Sequence, residues 1–147
     1  MLYKSLKEIS AKEITGYKVA IKLESNYYSV ATMMKYEVGE ISYPATDFYG
    51  GYHAPYTYEN VMLNVTSPLS LLHDVKMRGR TSVFATQEEA QTQLNLWKRL
   101  VPEDLQSNFV LLEMTLKKTN DKNLCEGYYS ENIKIYAGPY ITKIIEL

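Results

Sequence analysis

Little sulfur chemistry is open to this sequence, which holds one cysteine, Cys125. A lone thiol cannot close an internal disulfide, which fits a reducing compartment. It also removes the multi-cysteine zinc sites. Histidine is nearly as scarce, with only His53 and His73. The set His53, His73, Asp74 and Cys125 offers no pair at the i, i+3 or i, i+4 spacing of helix-borne ligands. No metal and no cofactor is expected. No run of about 18 apolar residues occurs, which excludes a membrane-spanning helix. The opening MLYKSLKEIS is broken by lysines and a glutamate, and it is not expected to act as a secretory leader. A charge excess is missing as well, since 16 basic residues face 17 acidic ones for a net charge of -1. That balance argues against a general attraction to long nucleic acid or anionic membrane and leaves a local patch or a single nucleotide open. A cytoplasmic protein is the expectation, so the Asn64-Val65-Thr66 glycosylation triplet carries no weight.

What is present reads as a single domain over residues 1–147. Hydrophobic residues make up 46% and charged residues 22%, and a chain of this size buries roughly 70% of its unfolded surface. Leu2, Leu6 and Ile9 predict a short amphipathic helix, with a strand as the competing assignment. Tyr17, Val19, Ile21 and Leu23 alternate on one face of a half-buried strand. Glu24-Ser25-Asn26 turns the chain into a returning strand at 27–31, and 35–38 is extended up to Gly39. Val61–Val65 predicts a short strand, and Ser67-Pro68 starts a short helix bearing Leu69, Leu72 and Val75. The clearest unit is the strand Ser82–Ala85 followed by the capping box Thr86-Gln87-Glu88-Glu89. Its helix carries Ala90, Leu94, Trp97 and Val101 on one face and stops at Pro102. Strands follow at 109–117, 133–136 and 141–145. Strands and helices do not alternate, which argues against a parallel doubly wound sheet. The expected fold is α+β: a curled, mainly antiparallel sheet of about six or seven strands. One main helix at about 87–100 packs on it, with one or two short helices and an aromatic-rich insertion at about 43–82.

Several fragments fall in a familiar order. GYKV at Gly16–Val19, YYS at Tyr27–Ser29, KYEVGE at Lys35–Glu40, VFATQEEA at Val83–Ala90 and NIKIY at Asn132–Tyr136 are the main ones. With GYHA at Gly51–Ala54, the chain resembles a group of small uncharacterised proteins of bacteria and their phages. The resemblance covers about half the chain and implies a fold and a phage or mobile-element origin, without a mechanism. The long stretch between GYHA and VFAT departs from that group and is where a private function would reside.

The sequence contains 14 tyrosines. Those in strands have a sufficient reason in cross-strand packing. The stretch FYGGYHAPYTY, Phe48–Tyr58, does not, because Pro44, Gly50, Gly51 and Pro55 deny it a regular repeat. Tyr43, Phe48, Tyr49, Tyr52, His53, Tyr56 and Tyr58 are the candidate binding residues. Three readings stand: a loop folded on its own rings, a protein interface rich in rigid amphipathic rings, or a pocket in which a ring stacks on a nucleotide base. In the last, Arg78 and Arg80 of the basic cluster with Lys76 would meet phosphate. His53, near Asp47 and Glu59, is a general-base candidate, but no nucleophile stands at a recognisable spacing, so an enzyme is the least favoured class. The expectation is a non-enzymatic interaction protein binding a protein partner or itself. A nucleotide-binding protein is the alternative.

Overall fold

The computed structural model describes residues 4–30, 35–41 and 75–147. Among these residues ten strands form one antiparallel sheet: β1 (Lys4–Glu8), β2 (Glu13–Leu23), β3 (Asn26–Ser29), β4 (Lys35–Tyr36), β5 (Gly39–Glu40), β6 (Thr81–Phe84), β7 (Phe109–Lys117), β8 (Cys125–Ser130), β9 (Ile133–Gly138) and β10 (Tyr140–Glu146). Among the described residues two helices, α1 (Gln87–Lys98) and α2 (Glu103–Gln106), and a 3-10 turn (Val75–Met77) accompany them.

Ten strands replace the expected six or seven, and β1 and β8 explain much of the difference. The opening segment is a strand, not a helix: Lys7 pairs with Glu126 and Glu8 with Cys125 of β8. A segment this short cannot sustain a helix by itself, and pairing with β8 satisfies its backbone while burying Leu6. The strand expected at 61–65 and the start of the helix at Ser67 lie outside the described residues.

The strand order is β1-β8-β9-β6-β2-β7-β10-β5, with β3 and β4 branching from β2. Pro139 alone links β9 to β10, although β9 pairs with β6 and β10 with β7, on opposite sides of β2. In a flat sheet those strands would stand about 19 Å apart, four spacings of about 4.8 Å. Two Cα steps span at most about 7 Å. The sheet therefore curls back on itself, and β9–Pro139–β10 acts as one bent strand across the end of the curl. Two glycines permit the tight places. A Cβ at Gly16 would collide with Val83 and stand 2.7 Å from the Phe84 carbonyl oxygen, and one at Gly138 would stand 2.6 Å from Leu124 and 2.9 Å from Leu116.

Curling gives the sheet two cores. Outside, Val19, Ile21, Phe84, Phe109, Leu111 and Ile135 pack with Ala90, Leu94, Trp97 and Val101 of the helical segment. Inside, Ala20, Val83, Leu112, Met114, Leu116, Leu124 and Ile141 fill the curl, with Tyr36 and Ile41. Helix α1 starts as the sequence predicts, with the Thr86 hydroxyl accepting from the Glu89 amide at 3.2 Å. It ends two residues early, at Lys98, and Leu100 is exposed. Among the described residues no helix is long and apolar enough to cross a membrane.

Candidate functional site

One edge of β2 runs unbroken along β7, from Glu13 opposite Lys117 to Ile21 opposite Phe109. The other edge is shared. Tyr17 pairs with Phe84 of β6, and Ala20–Leu23 pair with β3. Lys18 lies between these two pairings, at the fork where β6 and β3 diverge. Alternation along the strand puts Lys18 on the face of Ala20, turned into the curl.

The Lys18 ammonium donates to Ser82 Oγ at 3.2 Å and stands 6.0 Å from the centre of the Tyr36 ring. Leu112 is its cross-strand neighbour on β7. Among the described residues no carboxylate lies within ion-pairing distance of it. Part of the residue's surface still meets solvent, but the amine is enclosed deeply enough that burial lowers its pKa from the ordinary lysine value of 10.5 to about 8.

Toward the open end of the curl, Glu146 of β10 reaches across β7. It accepts from Lys22 Nζ at 2.9 Å and from the Tyr27 hydroxyl at 2.6 Å. The Tyr27 hydrogen bond, then that of Lys22, lowers the Glu146 pKa, and the same contacts raise those of Lys22 and Tyr27. Along β8 and β9, Glu126 bridges Lys134 at 3.1 Å and Lys7 at 3.5 Å. The Lys134 contact is the main cause holding the Glu126 carboxyl below its usual value. These lysines are neutralised by glutamates, whereas Lys18 has a hydroxyl and a ring.

The residues singled out in the sequence fare differently. Tyr43, Phe48, Tyr49, Tyr52, His53, Tyr56 and Tyr58 lie outside the described residues, as do Asp47, Glu59, His73 and Asp74. Arg78 is exposed, and its carbonyl accepts from Lys122 Nζ at 2.7 Å. Arg80 is buried and committed to the scaffold. Its Nε donates to the Asn123 carbonyl at 2.9 Å, Nη1 to the Lys76 carbonyl at 2.8 Å, and Nη2 lies 3.7 Å from Glu8. Replacing Arg80 with methionine leaves two carbonyls without their donor, so a loss of about 2 kcal/mol is expected. Urea denaturation checks this, and an unchanged midpoint would show that the clamp contributes nothing.

Cys125 is fully buried, away from any nucleophilic role at the surface. No group of three or more metal-binding side chains occurs among the described residues. A cleft of about 300 Å³ opens between α1 and the start of β7, lined by Gln87, Gln91, Leu94, Lys98, Phe109, Val110, Leu111 and Leu147. Among the described residues Lys98 is the one charged side chain it gathers. Sequence reading missed Lys18 and Ser82 because each sits in a strand that looks ordinary. The available signal was the face Gly16, Lys18, Ala20, where small residues flank a lysine and announce close packing.

Comparison of the chain with protein-family models, with curated proteins and with solved structures returns no match.

Proposed function

We propose that the protein is a small non-enzymatic interaction protein that binds a protein partner, or a second copy of itself, through the Tyr43–Tyr58 stretch. The observation that carries this reading is the fixation of both ends of the intervening segment. On one side, Gly39 and Glu40 pair with Ile141 and Tyr140, and the Ile41 amide donates to the Pro139 carbonyl at 2.8 Å. On the other, Thr81 pairs with Gly138, and Arg80 clamps the preceding turn. Both stems therefore meet at the Gly138-Pro139-Tyr140 corner. A rigid frame that holds the two stems of a tyrosine-rich segment is the usual way a domain presents a binding loop. A cytoplasmic setting and a phage or mobile-element origin belong to the same proposal, the first supported by the single free thiol.

The test is the triple variant Tyr49→Ser, Tyr52→Ser, Tyr56→Ser. Its melting curve is expected to shift little, by about 1 kcal/mol or less, while self-association on a sizing column with light scattering, or capture of a host protein, is lost. Unfolding of the variant would assign these rings to the core and remove the proposal's support. The nucleotide alternative retains Arg78 as its phosphate contact, because Arg80 is occupied. A rise in melting temperature with added nucleotides that the same variant abolishes would favour it.

A further inference from the structure

We propose that Lys18 and Ser82 form a carbonyl-capturing site, in which the Lys18 amine condenses with a small aldehyde or ketone to give an imine. The site is separate from the tyrosine stretch and stands on the arrangement at the fork of β2. An amine lies there with a hydroxyl at 3.2 Å, a ring face at 6.0 Å and apolar neighbours in Ala20, Val83 and Leu112. Among the described residues no carboxylate pairs with it to hold its proton. Desolvation in such surroundings is a recognised way of activating a lysine nucleophile. With a pKa of about 8, the neutral fraction at pH 7.5 is on the order of a hundred-fold greater than for an ordinary lysine.

The step balances without a further reactant. The Nζ lone pair bonds to the carbonyl carbon, the carbonyl π pair moves to oxygen, and a proton passes from nitrogen to that oxygen. The carbinolamine then loses its hydroxyl as water and the second N–H proton leaves, so that C=N replaces C=O. Ser82 Oγ, in contact with Nζ, is placed to relay the proton. The Tyr36 face favours the cationic iminium that precedes the neutral imine. Among the described residues the other titratable groups on the inner face include Lys22, Tyr27 and Glu146, bound to one another, and Lys134 with Tyr136, the lysine held by Glu126. Each of them is held by its own partner and not by the Lys18 amine, whose neighbours are Ser82 Oγ and the Tyr36 ring, so the profile with pH should follow Lys18 itself.

The experiment treats the intact folded chain with propionaldehyde and, separately, benzaldehyde, in the presence of cyanoborohydride, which delivers hydride to the imine and fixes it. Peptide mass mapping then reads the initial rate at each lysine. At pH 7.5 Lys18 is expected to react at least about ten-fold faster than the exposed Lys118 and Lys143, with a midpoint near pH 8. In urea the preference should disappear. Ser82→Ala should slow Lys18 several-fold and leave the other lysines unchanged. Because wild-type mapping compares lysines within one molecule, it decides the matter even if the variant fails to fold. Labelling of Lys18 no faster than that of Lys118 in the folded protein overturns the proposal.

Discussion

Trp97→Ala is expected to cost about 3–5 kcal/mol, a large share of the 5–15 kcal/mol that holds a typical domain folded. Trp97 is 5% exposed and lies on the face of α1 that also presents Ala90 and Leu94 to the outer core. Phe84, Phe109 and Leu111 meet this face from β6 and β7. Removing the ring empties a space between helix and sheet that backbone movement cannot close, because α1 is fixed by its Thr86 cap and the sheet by its ladder. The indole Nε1 has no hydrogen-bond partner among the described residues, so what they supply to anchor this side chain is packing. Trp97→Phe should therefore be far milder, about 1 kcal/mol, since it keeps most of the ring and removes a desolvated donor. Trp97 is the one tryptophan, so circular dichroism rather than fluorescence must follow the urea transition. A wild-type midpoint for Trp97→Ala would show that α1 does not rest on this ring.

Lys18→Met should change how stability depends on pH. The Lys18 pKa is lowered on folding, from 10.5 to about 8. Below pH 8 both folded and unfolded chains carry the proton, and the full cost of a buried ammonium is present. Between the two values the unfolded chain binds more protons, so wild-type stability rises with pH. The advantage of Lys18→Met over wild type should therefore shrink by about 2–3 kcal/mol between pH 7 and pH 10. Lys22, Lys134 and Tyr27 shift the opposite way. Their contributions are lost only as pH climbs through values above the ordinary ones, and they cancel in the comparison of the two proteins. Methionine matches the length of the lysine stem and leaves Ser82 without its donor, a smaller loss of about 1 kcal/mol that does not vary with pH. A difference between the two proteins that is flat across this range would mean the Lys18 ammonium is solvated.

The sequence by itself determined what depends on local pattern. Alternation predicted β7 to the residue, because Val110, Leu112, Met114 and Leu116 face one way throughout. The capping box located the start of α1, since a Thr hydroxyl satisfies an amide three residues on whatever the rest of the chain does. Periodicity also placed Val19 and Ile21 on the core face of β2. It could not find β8, where Cys125, Glu126, Gly127 and Tyr128 show no clean alternation, nor β1, whose strand conformation depends on β8 being there to pair with it. Arg80 reads from the sequence as available to a phosphate because its partners, Asn123 and Glu8, are remote in sequence. Lys18 is the sharpest case. On a flat sheet, the face opposite Val19 and Ile21 belongs to solvent, and a lysine there signifies nothing. The tertiary structure turns that face inward, because a single residue between β9 and β10 forces the sheet to curl. A residue-by-residue pattern records which side of a strand a side chain takes, but whether that side is water or protein is decided by strands far away in the chain.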